Sequence, residues 1–202
     1  VSATFDAITR RSNRHRCLDR RVALIPGDLE ILVAATADDW TPGAAQFLCG
    51  KWGAGGEWAI IVGTSTLEFW GDGNGALFFL SGANPGLVDG GSYWLRATRE
   101  ASSGAVALEW APWEESPPSS WSTVASGAST AGAITAAGNA VVVGADSFGT
   151  NPFAGRVERF ILRDGGTTVA DFVAASCGQS GYTDTLGNVW TVNRSTSGRK
   201  TV

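Results

Sequence analysis

Apolar residues fall at every second position in a series of short segments, and Gly, Asn, Asp, Ser and Pro separate the segments. No long window carries a helical period, so the pattern predicts strands. Between Asp28 and Ala35, Leu29, Ile31 and Val33 lie on one face of an extended chain. Trp58, Ile60 and Val62 repeat the pattern, as do Tyr93, Leu95 and Ala97, then Val106, Leu108 and Trp110. Val141 to Val143 form a short run suited to a strand covered on both sides, and Phe160 with Leu162 is expected opposite Val157 with Ile161.

The turns place the hairpins. Gly-Asp-Gly-Asn-Gly at 71–75 stands between Phe69-Trp70 and Leu77-Phe78, and Gly and Asn supply the positive φ that a tight hairpin turn needs. Leu186-Gly187-Asn188 predicts a second turn before a closing strand at Val189 to Val192. The Ala/Gly-rich stretch 125–138 has some helix propensity, but Gly127, Gly132 and Gly138 each cost about 1 kcal/mol in a helix. It reads as loop plus strand. No repeat and no linker divides the chain.

A length of 202 residues suits a single β-sandwich. Hydrophobic residues at 44% against 17% charged exclude a disordered chain, and no stretch reaches the roughly 18 apolar residues of a membrane helix. Val1 to Phe5 is followed by arginines and has no signal-peptide core. Cys17, Cys49 and Cys177 fit neither a zinc site nor a Cys-x-x-Cys pair; they read as small buried hydrophobes in a reducing compartment, with one bridge left open. Charge is uneven. Residues 10–21 hold six arginines against one acid, while the remainder has nine basic and eighteen acidic side chains, so +5 and −9 give the net −4. This pattern predicts a basic arm or first strand over residues 1–21, ahead of an acidic domain over 22–202 whose core strands begin near Val22.

Several segments together resemble one family. Gly27 to Pro42 (GDLEILVAATADDWTP), Phe47 to Trp52 (FLCGKW), Leu67 to Gly73 (LEFWGDG) and Ser92 to Thr98 (SYWLRAT) are similar, in that order, to successive strands of laminin-G/concanavalin-A-like jelly rolls. Pro152 to Asp164, Val169 to Phe172 and Tyr182 to Val192 resemble the ending of such domains as found in actinobacteriophage tail and capsid-surface proteins. The resemblance covers residues 22–193. It implies an all-β, antiparallel two-sheet jelly-roll sandwich used for adhesion, often to glycans, with calcium sometimes at the rim. The sequence departs from the family in the Arg-rich stretch and in an enlarged loop at 111–120.

The chemistry of a glycosidase is missing from the pattern. Such an enzyme presents paired carboxylates about 5 Å apart, whereas Glu114 and Glu115 are adjacent in the chain. His15 lies between Arg14 and Arg16 with no carboxylate to orient it. Asp72-Gly73-Asn74-Gly75 offers hard oxygen ligands, but the later bidentate Glu of a calcium loop is absent and a hairpin uses the same residues. Asp38-Asp39 and Asp146 are similar. No motif calls for a cofactor, and Asn193-Arg194-Ser195 is a chance-level glycosylation match.

Two sets of residues stand out as binding candidates. Trp113, beside Glu114 and Glu115 in the enlarged loop, suits stacking on a sugar ring, anchoring a protein interface, or packing onto the domain's own surface. Arg10, Arg11, Arg14, Arg16, Arg20 and Arg21 lack interleaved aromatics and sit on an acidic chain. They suit a neighbouring subunit rather than nucleic acid, or else a solvated face. With the arginines read this way, the resemblance implies a non-enzymatic structural or adhesion protein at a virion surface, a minor tail protein or a capsid-surface decoration. Its partners would be other virion proteins, with host-surface glycan as a further one and no membrane insertion. A free-standing lectin module is the alternative, and the basic arm separates the two.

Overall fold

The structure is a computed structural model that describes residues 15–19, 27–53, 55–136, 138–146, 148–176 and 181–194, with 15–19 and 192–194 as backbone. Among the described residues the strands are β1 (His15–Asp19), β2 (Leu29–Ala37), β3 (Gln46–Gly50), β4 (Trp58–Val62), β5 (Thr66–Gly73), β6 (Ala76–Ala83) and β7 (Ser92–Arg99). They continue with β8 (Ala105–Pro112), β9 (Ser122–Ala128), β10 (Val141–Val143), β11 (Gly155–Asp164), β12 (Thr167–Val173), β13 (Gly181–Thr183) and β14 (Val189–Arg194). One turn of 3-10 helix, Ala174–Ser176, follows β12.

Two antiparallel sheets result, one ordered β13-β14-β1-β10-β3-β4-β5-β6 and the other β12-β11-β2-β7-β8-β9. They face each other across the core that the alternation predicts. Leu29, Ile31, Val33 and Ala35 from β2 meet Trp58, Ile60 and Val62 from β4 in one buried cluster, together with Leu95, Ala97, Leu108, Val141, Val143, Phe160 and Leu162. Aromatic rings join the sheets: Trp58 stacks on Phe160 at 6.2 Å, and Trp190 lies 6.0 Å from Phe160 and 5.2 Å from Phe172. All three residues of β10 are buried.

The two hairpin turns form where the glycines place them. Asn74 and Gly75 both adopt positive φ, 53° and 82°, between paired Gly73 and Ala76, as a two-residue hairpin requires. Gly82 has a different role. A Cβ there would stand 2.5 Å from the Val124 carbonyl oxygen of β9, so its missing side chain lets the two sheet edges close on each other.

Two expectations need correction. Val157 packs with the core beside Phe160, not with Ile161, because a bulge between Val157 and Arg159 shifts the register of β11 against β2 and so resets which residues face inward. The sheet also begins earlier than Val22. His15–Asp19 forms β1, paired with β10 on one side and β14 on the other, so this part of the basic segment is an interior strand. The same register settles one cysteine pairing. Cys17 and Cys49 stand opposite Val143 from its two sides, which puts their Cα atoms two strand spacings, about 9–10 Å, apart. A disulfide needs less than about 7 Å. Cys49 is a buried free thiol, and burial pushes its ionisation far above the ordinary cysteine range against an opposing hydrogen bond from the Ile60 backbone.

Candidate functional site

Strands covered on both sides carry apolar residues at both parities, and the outward set here forms two different faces. On the smaller sheet, Leu32, Ala34, Trp94, Ala111 and Ile161 make a second buried cluster with Trp121 against it. The enlarged loop lies on this cluster. The Trp94 indole N–H donates to the Glu114 carbonyl oxygen at 2.9 Å, and the Trp113 ring stacks on Trp94 with centroids 5.8 Å apart and planes 13° from parallel. One face of Trp113 is thus taken, yet the residue is 41% exposed, and Glu114 and Glu115 beside it are exposed too.

The rest of that outer face is a row of ions. Arg163 pairs with Glu30 at 2.7 Å, Glu30 lies 3.8 Å from Arg96, and Arg96 binds Glu109 at 2.6 Å while its guanidinium sits 4.7 Å over the Trp121 ring. Arg159 forms a two-point bond to Asp171 at 3.0 and 2.8 Å, and this hydrogen bonding raises its ionisation further. Each charge has its counter-charge across a strand, so the face is satisfied as it stands.

The larger sheet's outer face is unlike it. Phe47, Ala59 and Ile61 are buried there under Trp52 and Trp70. Trp70 makes edge contacts with Trp52 at 5.5 Å, Phe47 at 6.0 Å and Phe79 at 5.3 Å. Its indole N–H donates to Glu68 at 2.8 Å, and Thr66 donates to the same carboxylate at 2.7 Å. Phe79 is 60% exposed and Leu77 54%, and both belong to β6, the last strand of its sheet. The aromatic strip therefore ends on the last strand of its sheet, at the end of β6 away from where Gly82 closes on β9.

The acidic rim residues are held by backbone. Asp39 accepts from the Thr41 N–H, Asp72 from the Gly75 N–H, and Asp146 from the Phe148 and Thr150 N–H groups and the Thr150 hydroxyl. These are turn-forming contacts. Among the described residues no group of three or more His, Cys, Asp or Glu side chains is placed to hold a metal. Nearby, Arg99 is buried at the end of β7, donating to the Ser129 hydroxyl at 3.0 Å and to the Thr130 and Gly132 carbonyls at 2.8 and 2.7 Å. Burial draws its ionisation down, with Asp72 and Asp28 opposing.

Of the expected site residues, the structure brings Trp113, Glu114 and Glu115 to one surface and places the Arg16 backbone opposite Asn193 in β1. Arg10, Arg11, Arg14, Arg20 and Arg21 lie outside the described residues. The strip of Trp52, Trp70 and Phe79 was missed by sequence reasoning. Its signal was present in Phe69-Trp70 and Phe78-Phe79, where adjacent aromatics must point to opposite faces of a strand.

No family profile and no curated protein matches the sequence. Among solved structures, domains LG4-5 of the mouse laminin alpha1 chain align with a TM-score of 0.55 and 14% identity, over 77% of this chain and 41% of that one. The LG1-3 region of the laminin alpha2 chain gives 0.50 and 17%, over 77% and 31%. A heptameric SAP-like pentraxin from Limulus polyphemus gives 0.47 and 11%, over 80% and 74%. The chain spans less than half the length of the laminin fragments it is similar to. What the laminin likenesses establish is architecture: the chain is an all-β, two-sheet jelly-roll sandwich of the laminin-G kind.

Proposed function

We propose that the chain is a non-enzymatic attachment module, a structural and adhesion protein on the tail or capsid surface of a bacteriophage virion. The observation that carries the reading is the aromatic strip. A rigid sandwich that leaves Leu77 and Phe79 more than half exposed on an edge strand, backed by Trp70 and Trp52, presents a surface for contact rather than a cleft for chemistry. The phage setting rests on the sequence resemblance, and the arginines from Arg10 to Arg21 supply a second contact, with carboxylates of a neighbouring subunit. A free-standing lectin is the second reading. It is favoured by Trp113, whose ring is locked by Trp94 and open on its other side next to Glu114 and Glu115.

Two variants divide these readings. Phe79→Ser should weaken co-sedimentation of the purified chain with virions lacking it, and leave retention on host cell-wall polysaccharide unchanged. Trp113→Ala should do the reverse if the lectin reading holds. A wild-type chain that binds neither virions nor polysaccharide would sink both.

A further inference from the structure

Lys51 and Glu57 form an ion pair at 2.8 Å with side chains only 4% and 3% exposed. A buried ion pair gives little net stability, since desolvating two charges offsets their attraction. A third group stands beside them. The Asn139 main-chain N–H lies 3.3 Å from the second oxygen of Glu57, and the Asn139 side-chain nitrogen is buried with no hydrogen-bond partner. An orphaned buried amide is uncommon.

The sheet register explains why the three meet. Val142 pairs with Gly50 and Val143 with Cys49. Lys51 follows β3 directly and Asn139 stands two residues ahead of β10, so the pairing brings them to the same end of the two strands, where each reaches an oxygen of Glu57. Trp58, itself 1% exposed, follows Glu57 directly.

We propose that Lys51 and Asn139 condense to an amide cross-link, with Glu57 carrying the protons. Because both side chains are buried from water, moving a proton from the Lys51 ammonium to the Glu57 carboxylate leaves two neutral groups in place of two buried ions. The freed Lys51 amine attacks the Asn139 side-chain carbonyl carbon, forming a C–N bond. Glu57 returns its proton to the departing amide nitrogen, the old C–N bond breaks, and ammonia leaves. Glu57 then takes a proton from the attacking nitrogen as the carbonyl re-forms and ends neutral beside the new amide. Atoms and charge balance without any oxidant or cofactor. The product ties the end of β3 to the segment ahead of β10 and removes both buried charges, a device suited to a module held under load.

The test is the intact mass of the purified, folded full-length chain, followed by a tryptic map. The expected result is a mass lower than the sequence mass by one ammonia. The map should contain one branched peptide joining Lys51 to Asn139, with no cleavage after Lys51. Glu57→Gln and Asn139→Ala should each restore the mass expected for the variant, and because the wild-type mass stands alone, a variant that fails to fold does not blunt the result. Folded wild-type chain at its full sequence mass overturns the proposal, as does ammonia loss mapped to a succinimide at any asparagine with cleavage after Lys51 intact.

Discussion

Asp184→Ala is expected to cost about 3–5 kcal/mol, because this carboxylate joins three parts of the sandwich. One oxygen accepts from the Leu186 and Asn188 N–H groups at 3.0 and 2.8 Å; the other accepts from the Asp171 N–H at 3.2 Å, the Asn188 side-chain amide at 2.9 Å and the Trp190 indole at 3.1 Å. The turn into β14, the strand β12 and a core indole thus meet on one group that is 7% exposed. A hydrogen bond to a charged group gives about 1.5–3 kcal/mol, and a buried donor left without partner costs about 1–3 kcal/mol, so the fully buried Trp190 N–H alone accounts for a good part of the loss. The contributions overlap and do not add. Asp184→Asn keeps one acceptor oxygen and should cost about half as much.

Acid should reveal the same network. Burial alone would raise the Asp184 ionisation, but hydrogen bonds from Asn188, Trp190 and the backbone outweigh it and hold the carboxyl below its usual range. A folded value below the unfolded one gives stability that is present above about pH 4 and is lost as pH falls further. Urea unfolding followed by tryptophan fluorescence, at neutral pH and in steps down to about pH 3, measures both effects. Asp184→Asn should lose less stability on acidification than the wild type. An Asp184→Ala chain within about 0.5 kcal/mol of wild type, or an identical acid slope in Asp184→Asn, would refute the reasoning.

Arg99→Ala should cost about 2–4 kcal/mol in the same assay, since the buried guanidinium satisfies the Thr130 and Gly132 carbonyls and the Ser129 hydroxyl. Phe79→Ser should change stability by less than about 0.5 kcal/mol in that assay, because the ring is 60% exposed. Deleting residues 1–20 removes β1 from between β10 and β14, so the truncated chain should lose cooperative unfolding by circular dichroism; a truncated chain as stable as the parent would mean that β1 contributes nothing to the sheet.

The two-residue period made most of the fold readable, because a strand with one buried face must alternate. Leu29, Ile31 and Val33, or Trp58, Ile60 and Val62, show it without interruption. The period fails where one residue is inserted, as at the Val157 bulge, since nothing in Arg-Val-Glu-Arg marks the slip. It is also silent where charge masks a strand: His15-Arg-Cys-Leu-Asp19 has too few apolar residues to announce an interior position. The site was less legible. Trp113 stood out through its odd loop, but its stacking partner Trp94 lies on another strand, and no sequence period links the two. The Lys51–Glu57–Asn139 group likewise joins a hairpin loop to a distant segment, a proximity created only by strand pairing.

The two outer faces are built for different surroundings, which bears on how a particle would hold this domain. Apart from the buried Lys51–Glu57 pair, the ion pairs seen among the described residues lie on the smaller sheet, on β2, β7, β8, β11 and β12. Such a neutralised row is content in water and offers a partner little. The aromatic strip on the larger sheet is the costlier face to leave wet. The basic segment enters that same larger sheet at His15–Asp19, so Arg16, the one described arginine of the proposed subunit contact, belongs to the layer that carries the aromatic strip. On the proposed reading the larger sheet is therefore the side turned to the particle, and the Trp113 side of the smaller sheet is turned to the solution, where a glycan would meet it.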